Sequence, residues 1–189
     1  MGQRFHYFFA VKLPDEAKQF LKRWVEINKL QFPFKRWVHY EDYHITLAFL
    51  GFAEQEKLEQ AISGVYQALV DFEPFKLTFN ELGVFGNKTS PRIFWAGVNE
   101  SETLSMIQKK VYNQCKETGF ELDRKPFRPH ITLARKWNSE QSFSKGKLSP
   151  VTIEGESLTF QVKEIVLYET HLDKTPKYQE YHRFKLKGK

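Results

Sequence analysis

The 189-residue chain contains one cysteine, Cys115. That excludes an internal disulfide and any site built from several thiolates, and it suits a reducing compartment. No apolar run is long enough to cross a bilayer. The stretch from Arg4 to Lys12 is too short even for the core of a secretory signal, so the expected location is the cytoplasm. Glycine-rich nucleotide fingerprints and low-complexity tracts are missing, as are His-x-His and His-Glu-x-x-His metal patterns. Acidic residues are in deficit, with 23 Asp and Glu against 29 Lys and Arg, a net charge of +6. Such an excess favours a polyanionic partner such as nucleic acid. A solvated strand or tail accounts equally well for the six cations Lys174, Lys177, Arg183, Lys185, Lys187 and Lys189.

Aromatic residues are plentiful. With 18 Phe, 8 Tyr and 4 Trp, rings must supply much of the packing in one compact domain or two small interlocked lobes. Arg4–Lys12 reads as a strand ending before Pro14. A helix capped by Asp15 follows, its apolar stripe carried by Phe20, Leu21, Trp24 and Val25 and ending near Leu30. His44–Leu50 reads as a strand stopped by Gly51, and Leu58, Ile62, Val65 and Leu69 mark a second helix. Phe75–Phe85 and Arg92–Val98 read as strands divided by a turn-rich segment. A third helix starts at Ser101, buries Leu104, Ile107, Val111 and Cys115 on one face, and stops at Gly119. Cys115 is thus assigned to the core. His130–Arg135, Ser157–Glu169 and Tyr178–Lys187 complete the strands. The mixed order, without strict βαβ alternation, defines an α+β class with largely antiparallel sheets.

The single internal repetition is His44-Ile45-Thr46-Leu47-Ala48, which recurs 86 positions later as His130-Ile131-Thr132-Leu133-Ala134. Alternation along a strand separates two jobs. Ile45, Leu47, Ile131 and Leu133 would anchor each strand in an interior, while His44, Thr46, His130 and Thr132 would face a shared space. A lone strand histidine is ordinarily a surface or packing group, and His6, His39, His171 and His182 are assigned so. Two histidines in identical settings, each with a hydroxyl on the same face, point to a site. A metal centre is the rival chemical reading, because imidazole is a common ligand and His39 lies near His44. Neither motif contains a carboxylate, and hydroxyls beside histidines suit a phosphate oxygen better than a divalent cation. Arg135 has no basic counterpart after the first motif, where Phe49 stands. In a flat strand it points away from Thr132, so spacing alone leaves it either a phosphate ligand, if the strand bulges or ends there, or an ordinary strand-end cation.

These motifs resemble those of the two-histidine phosphoesterase superfamily, and within it the LigT-like RNA 2',3'-cyclic phosphodiesterases, also called 2'-5' RNA ligases. The likeness extends through Phe8-Phe9-Ala10-Val11 to Leu13-Pro14, Trp37-Val38, Phe49-Leu50-Gly51 and Pro91–Val98. It continues through Gly119-Phe120, Phe127-Arg128-Pro129 before His130, and Tyr168-Glu169-Thr170. The resemblance implies one bilobal domain over residues 1–189 with pseudo-two-fold symmetry, two antiparallel sheets lining a central cleft and helices outside. It also implies hydrolysis of RNA 2',3'-cyclic phosphate ends to 2'-phosphates, with no metal or nucleotide cofactor and with weak reversible 2'-5' joining. His44 would be the proton donor and His130 the acceptor. Thr46, Thr132 and Arg135 would hold the phosphate, and Phe49 is a candidate to stack on the base. Where relatives carry Ser and Gly after Glu169, this chain has Thr170, Lys174 and Thr175.

Two imidazoles suit such a reaction, because at neutral pH one can be neutral while the other is protonated. The expected partner is an RNA or oligonucleotide end, with no membrane and no obligate protein partner, the chain acting as a monomer. The competing reading is a module of the same fold that binds a nucleotide or RNA end without chemistry, and turnover of a nucleoside 2',3'-cyclic phosphate in EDTA separates the two.

Overall fold

The computed structural model describes residues 5–188, so Arg4 and Lys189 lie outside the described residues. Two antiparallel sheets stand side by side. The four-stranded sheet has the order β3 (His44–Phe52), β1 (His6–Lys12), β8 (Glu164–Thr170), β9 (Tyr178–Lys185). The five-stranded sheet has the order β2 (Phe34–Trp37), β6 (Ile131–Trp137), β5 (Pro91–Val98), β4 (Phe75–Gly86), β7 (Thr159–Val162). The α+β class and the pair of antiparallel sheets with helices outside are therefore as the sequence implies.

The three helices knit the sheets together. α1 (Asp15–Asn28) follows β1 but lies on the five-stranded sheet, where Phe20 stacks on Phe79 of β4 and Trp24 packs on Phe94 of β5. α3 (Glu102–Glu117) joins β5 to β6 yet packs on β3 of the four-stranded sheet and on α2 (Gln55–Leu69). Nearly all buried apolar side chains consequently form one continuous core. A smaller apolar cluster, Phe8, Ala10, Val166 and Tyr168, lies on the other face of the four-stranded sheet.

Several boundaries differ from the sequence reading. Asp15 is the first residue of α1 rather than its cap. The cap is Pro14, whose carbonyl accepts the amides of Ala17 and Lys18, while Asp15 and Glu16 complement the positive helix end. Leu30 falls in a short 3-10 turn and is exposed. Ser101 does cap α3, its hydroxyl accepting the Leu104 amide. Gly51 does not stop β3, which passes through it at φ +67° to Phe52. The expected strand from Ser157 to Glu169 is two strands in different sheets, β7 on β4 and β8 on β1, divided at Lys163. β2 was not expected, because four residues with Lys35 and Arg36 in the middle are too few to show a period.

Candidate active site

The two motif strands, β3 and β6, approach each other across the join between the sheets. Ile45, Leu47, Ile131 and Leu133 are buried, while His44, Thr46, His130 and Thr132 keep partial exposure. Both strands carry the same irregularity. Consecutive Phe9 and Ala10 of β1 face Ala48 and Thr46, leaving Leu47 as an extra residue. Consecutive Phe94 and Trp95 of β5 face Ala134 and Thr132, leaving Leu133 extra. One extra residue reverses the alternation of everything after it. Phe49 and Arg135, which a flat strand would turn away, are thereby returned to the face that carries the threonines, and both are exposed there.

Each motif histidine is pinned in the same way. His44 Nδ1 lies 2.7 Å from the Asp42 carbonyl, and His130 Nδ1 lies 2.7 Å from the Arg128 carbonyl. A carbonyl can only accept, so each Nδ1 carries the proton and, in the neutral ring, each Nε2 is an acceptor. In the neutral His44 ring, Nε2 accepts from the Thr46 hydroxyl at 3.1 Å. Asp42 also serves with its side chain. The buried carboxylate accepts the amides of Lys177 and Tyr178, at 2.9 Å and 3.1 Å, and so fastens the start of β9 beside His44.

Aromatic rings frame both imidazoles. Tyr178 meets His44 edge-on with centroids 5.1 Å apart, and Phe8 lies at 4.8 Å. Phe85 meets His130 edge-on at 4.9 Å, and Trp95, directly across the sheet from Thr132, lies at 6.2 Å. Trp95 lies against Gly83 of β4. A Cβ there would come within 2.0 Å of the indole, so only glycine admits the ring.

This apolar setting shapes the electrostatics. Burial lowers the pKa of His44 to about 4, opposed by the bond to Asp42 and assisted by the charges of His130, Lys18 and Arg135. Burial lowers that of His130 as well, again with Arg135 contributing. The sign shows that His130 and Arg135 are near enough for a charge on either to oppose one on His44. Both shifts favour the neutral imidazoles in the free site, and an anion bound beside them would oppose that effect and favour protonation.

A cavity of about 800 Å³ opens beside His130 and Thr46, lined also by Phe49 and Phe85 from the sheets and by Tyr112 and Phe127. Phe49 is 54% exposed. Of the other histidines, His6 meets the Phe49 ring edge-on with centroids 5.8 Å apart, and the remaining three stand apart. His171 is buried, 2.6 Å from a Glu169 oxygen, His39 is at the surface beside Tyr40, and His182 packs on Phe184. Among the described residues no group of three or more His, Cys, Asp or Glu side chains is placed to hold a metal ion. Cys115 is buried in α3, its thiol pushed up to about 12.

Sequence reasoning missed Asp42, Phe8, Phe85, Trp95 and Tyr178. The carbonyl acceptors at Asp42 and Arg128 had a signal, since each stands two residues before its histidine. The ring contacts had none, because they come from strands distant in the chain.

Comparison with known proteins fits this architecture. The profile of the 2'-5' RNA ligase superfamily matches residues 6–174. An RNA 2',3'-cyclic phosphodiesterase of Geobacillus stearothermophilus is 45% identical over 186 residues, which are 98% of this chain and 59% of the relative. One of Bacillus subtilis is 30% identical over 96% of both chains. The fold is shared with Escherichia coli LigT complexed with 3'-AMP, at a TM-score of 0.81 and 24% identity, covering 97% of this chain and 99% of that one. The chain belongs to the 2'-5' RNA ligase superfamily. It spans under two thirds of the Geobacillus relative's length and nearly all of the Bacillus one.

Proposed function

We propose that this protein hydrolyses the 2',3'-cyclic phosphate at RNA ends to a 2'-phosphate, with His44 and His130 as acid and base. One observation carries the reading: two motif histidines, each with Nδ1 tied to a carbonyl so that Nε2 faces the motif threonines' side, stand on neighbouring strands beside a cavity that Thr46 and His130 line. The names of the curated relatives favour the same substrate.

In-line attack requires a base behind the water and an acid at the departing ribose oxygen. His130 Nε2 takes a proton from water as its oxygen bonds to phosphorus. The bond from phosphorus to O3' breaks, and His44 Nε2 gives O3' its proton. The product is a 2'-phosphate with a free 3'-hydroxyl. His44 must acquire its proton in the complex, where the substrate's negative charge offsets the cost of burial. Thr46, Thr132 and Arg135 hold the non-bridging oxygens, and the exposed ring of Phe49 stacks on the terminal base. An RNA 5'-hydroxyl in place of water gives weak 2'-5' joining by the reverse course. Both motifs come from one chain, which supports action as a monomer. The test is release of phosphomonoester from nucleoside 2',3'-cyclic phosphates in EDTA. Binding without turnover would leave only a nucleotide-binding module.

A further inference from the structure

A row of side chains crosses four strands of the five-stranded sheet. Phe85 of β4 pairs with Ile93 of β5, Ile93 pairs with Arg135 of β6, and Arg135 pairs with Arg36 of β2. Residues directly opposite in neighbouring strands share a face. Phe85 and Ile93 both line the cavity beside His130, so Arg135 and Arg36 continue that face outward to the edge strand. Trp37, next to Arg36, packs on buried Phe94 on the other face, as alternation requires.

Two guanidinium groups opposite each other with no acid between them repel and bring the sheet no stability. Among the described residues neither Arg36 nor Arg135 forms an ion pair or a side-chain hydrogen bond, and both are exposed. An anion that bridges or follows the pair would relieve this repulsion. The cavity side of the histidines is different in character. Glu121 and Asp123 stand there with Lys125 and Arg128, a mixed lining suited to a sugar and base rather than to further phosphates.

Building on the cyclic phosphodiesterase reading above, we propose that Arg36 binds the phosphodiester one nucleotide before the cyclic end, making oligonucleotide ends preferred over mononucleotides. Arg135 holds the reacting phosphate. Arg36, one strand farther out by about 4.8 Å and on a long side chain, reaches the next one along the backbone. The chain of the RNA then leaves over β2, away from the cavity that takes the terminal base.

The test compares wild type and Arg36→Gln on a nucleoside 2',3'-cyclic phosphate, a dinucleotide ending in one, and the same dinucleotide with a neutral methylphosphonate linkage. The expected wild-type kcat/KM is about tenfold higher for the charged dinucleotide than for its neutral analogue, as one charge-assisted contact gives. In Arg36→Gln that ratio falls towards one, and the salt slope for the charged dinucleotide drops by about 0.7. A ratio near one in wild type, or one that survives the substitution, overturns the assignment. An equal loss on all three substrates places Arg36 at the reacting phosphate and overturns it too. Wild type inert on all three sinks the hydrolytic function itself, an outcome distinct from either.

Discussion

His130 donates its Nδ1 proton to the carbonyl of Arg128, two residues earlier, at 2.7 Å. The bond fixes the tautomer and the tilt of the ring by backbone alone, and Asp42 does the same for His44. Each imidazole therefore offers one nitrogen in one direction, as the proposed proton transfers require.

Replacing either His44 or His130 by Ala is expected to lower turnover of a nucleoside cyclic phosphate at least about a hundredfold, because each moves a separate proton. Thr46→Ala and Thr132→Ala remove one neutral hydrogen bond apiece and should cost less. Steady-state kinetics with circular dichroism to verify folding decides it, and near-normal activity in either histidine variant rejects the two-histidine course.

The pH dependence follows from burial. The proposed mechanism needs one imidazole neutral and one protonated, and burial lowers both pKa values in the free site, that of His44 to about 4. The kcat/KM profile, which reports the free enzyme, should be bell-shaped with its maximum below about pH 6.5. The kcat profile should peak at higher pH, since the bound phosphate anion raises the affinity for the proton. Coincident maxima would contradict the role given to the substrate's charge.

Folding stability should respond to the same group. His44 is held neutral in the folded protein, while in the unfolded chain it protonates near pH 6.5. Stability is thus full above that pH and is lost as pH falls from about 6.5 towards 4. The loss at pH 5 is on the order of 2 kcal/mol from this residue. Denaturant melts at pH 7 and pH 5 should show a smaller difference for His44→Asn than for wild type, and an equal difference would refute the attribution.

The product tests the order of acid and base. With His44 at O3' and His130 behind the water, the product is the 2'-phosphate, resistant to a strictly 3'-specific phosphatase, and its yield is unchanged by exhaustive chelation. A predominantly 3'-phosphate product means that the roles or the substrate pose are reversed. A strict need for added divalent metal restores the metal reading.

The geometry of the candidate site was legible because it is local: the duplicated motif states which residues face together, and strand alternation states which anchor them. Arg135 shows where that legibility stops. Whether it turns towards Thr132 depends on the extra residue Leu133, and a bulge is set by pairing with Phe94 and Trp95, nearly forty positions earlier in the chain. The division of residues 157–169 between two sheets was hidden for the same reason. Both segments bury apolar side chains, and nothing local says which neighbour each will meet. β2 escaped notice through brevity, although it carries Arg36.

The exchange of helices between the sheets has a consequence for how such a protein can be divided. α1 covers the five-stranded sheet and α3 the four-stranded one, and each sheet draws strands from both sides of the Gly86–Pro91 turn. A cut in that turn would yield two pieces that each hold one histidine motif and half of the other's covering. Neither piece could close a core alone, so mixing the two should restore fold and chemistry together or not at all. Inheritance works under the same constraint, because a doubled motif woven in this way can no longer be separated into two working ancestors.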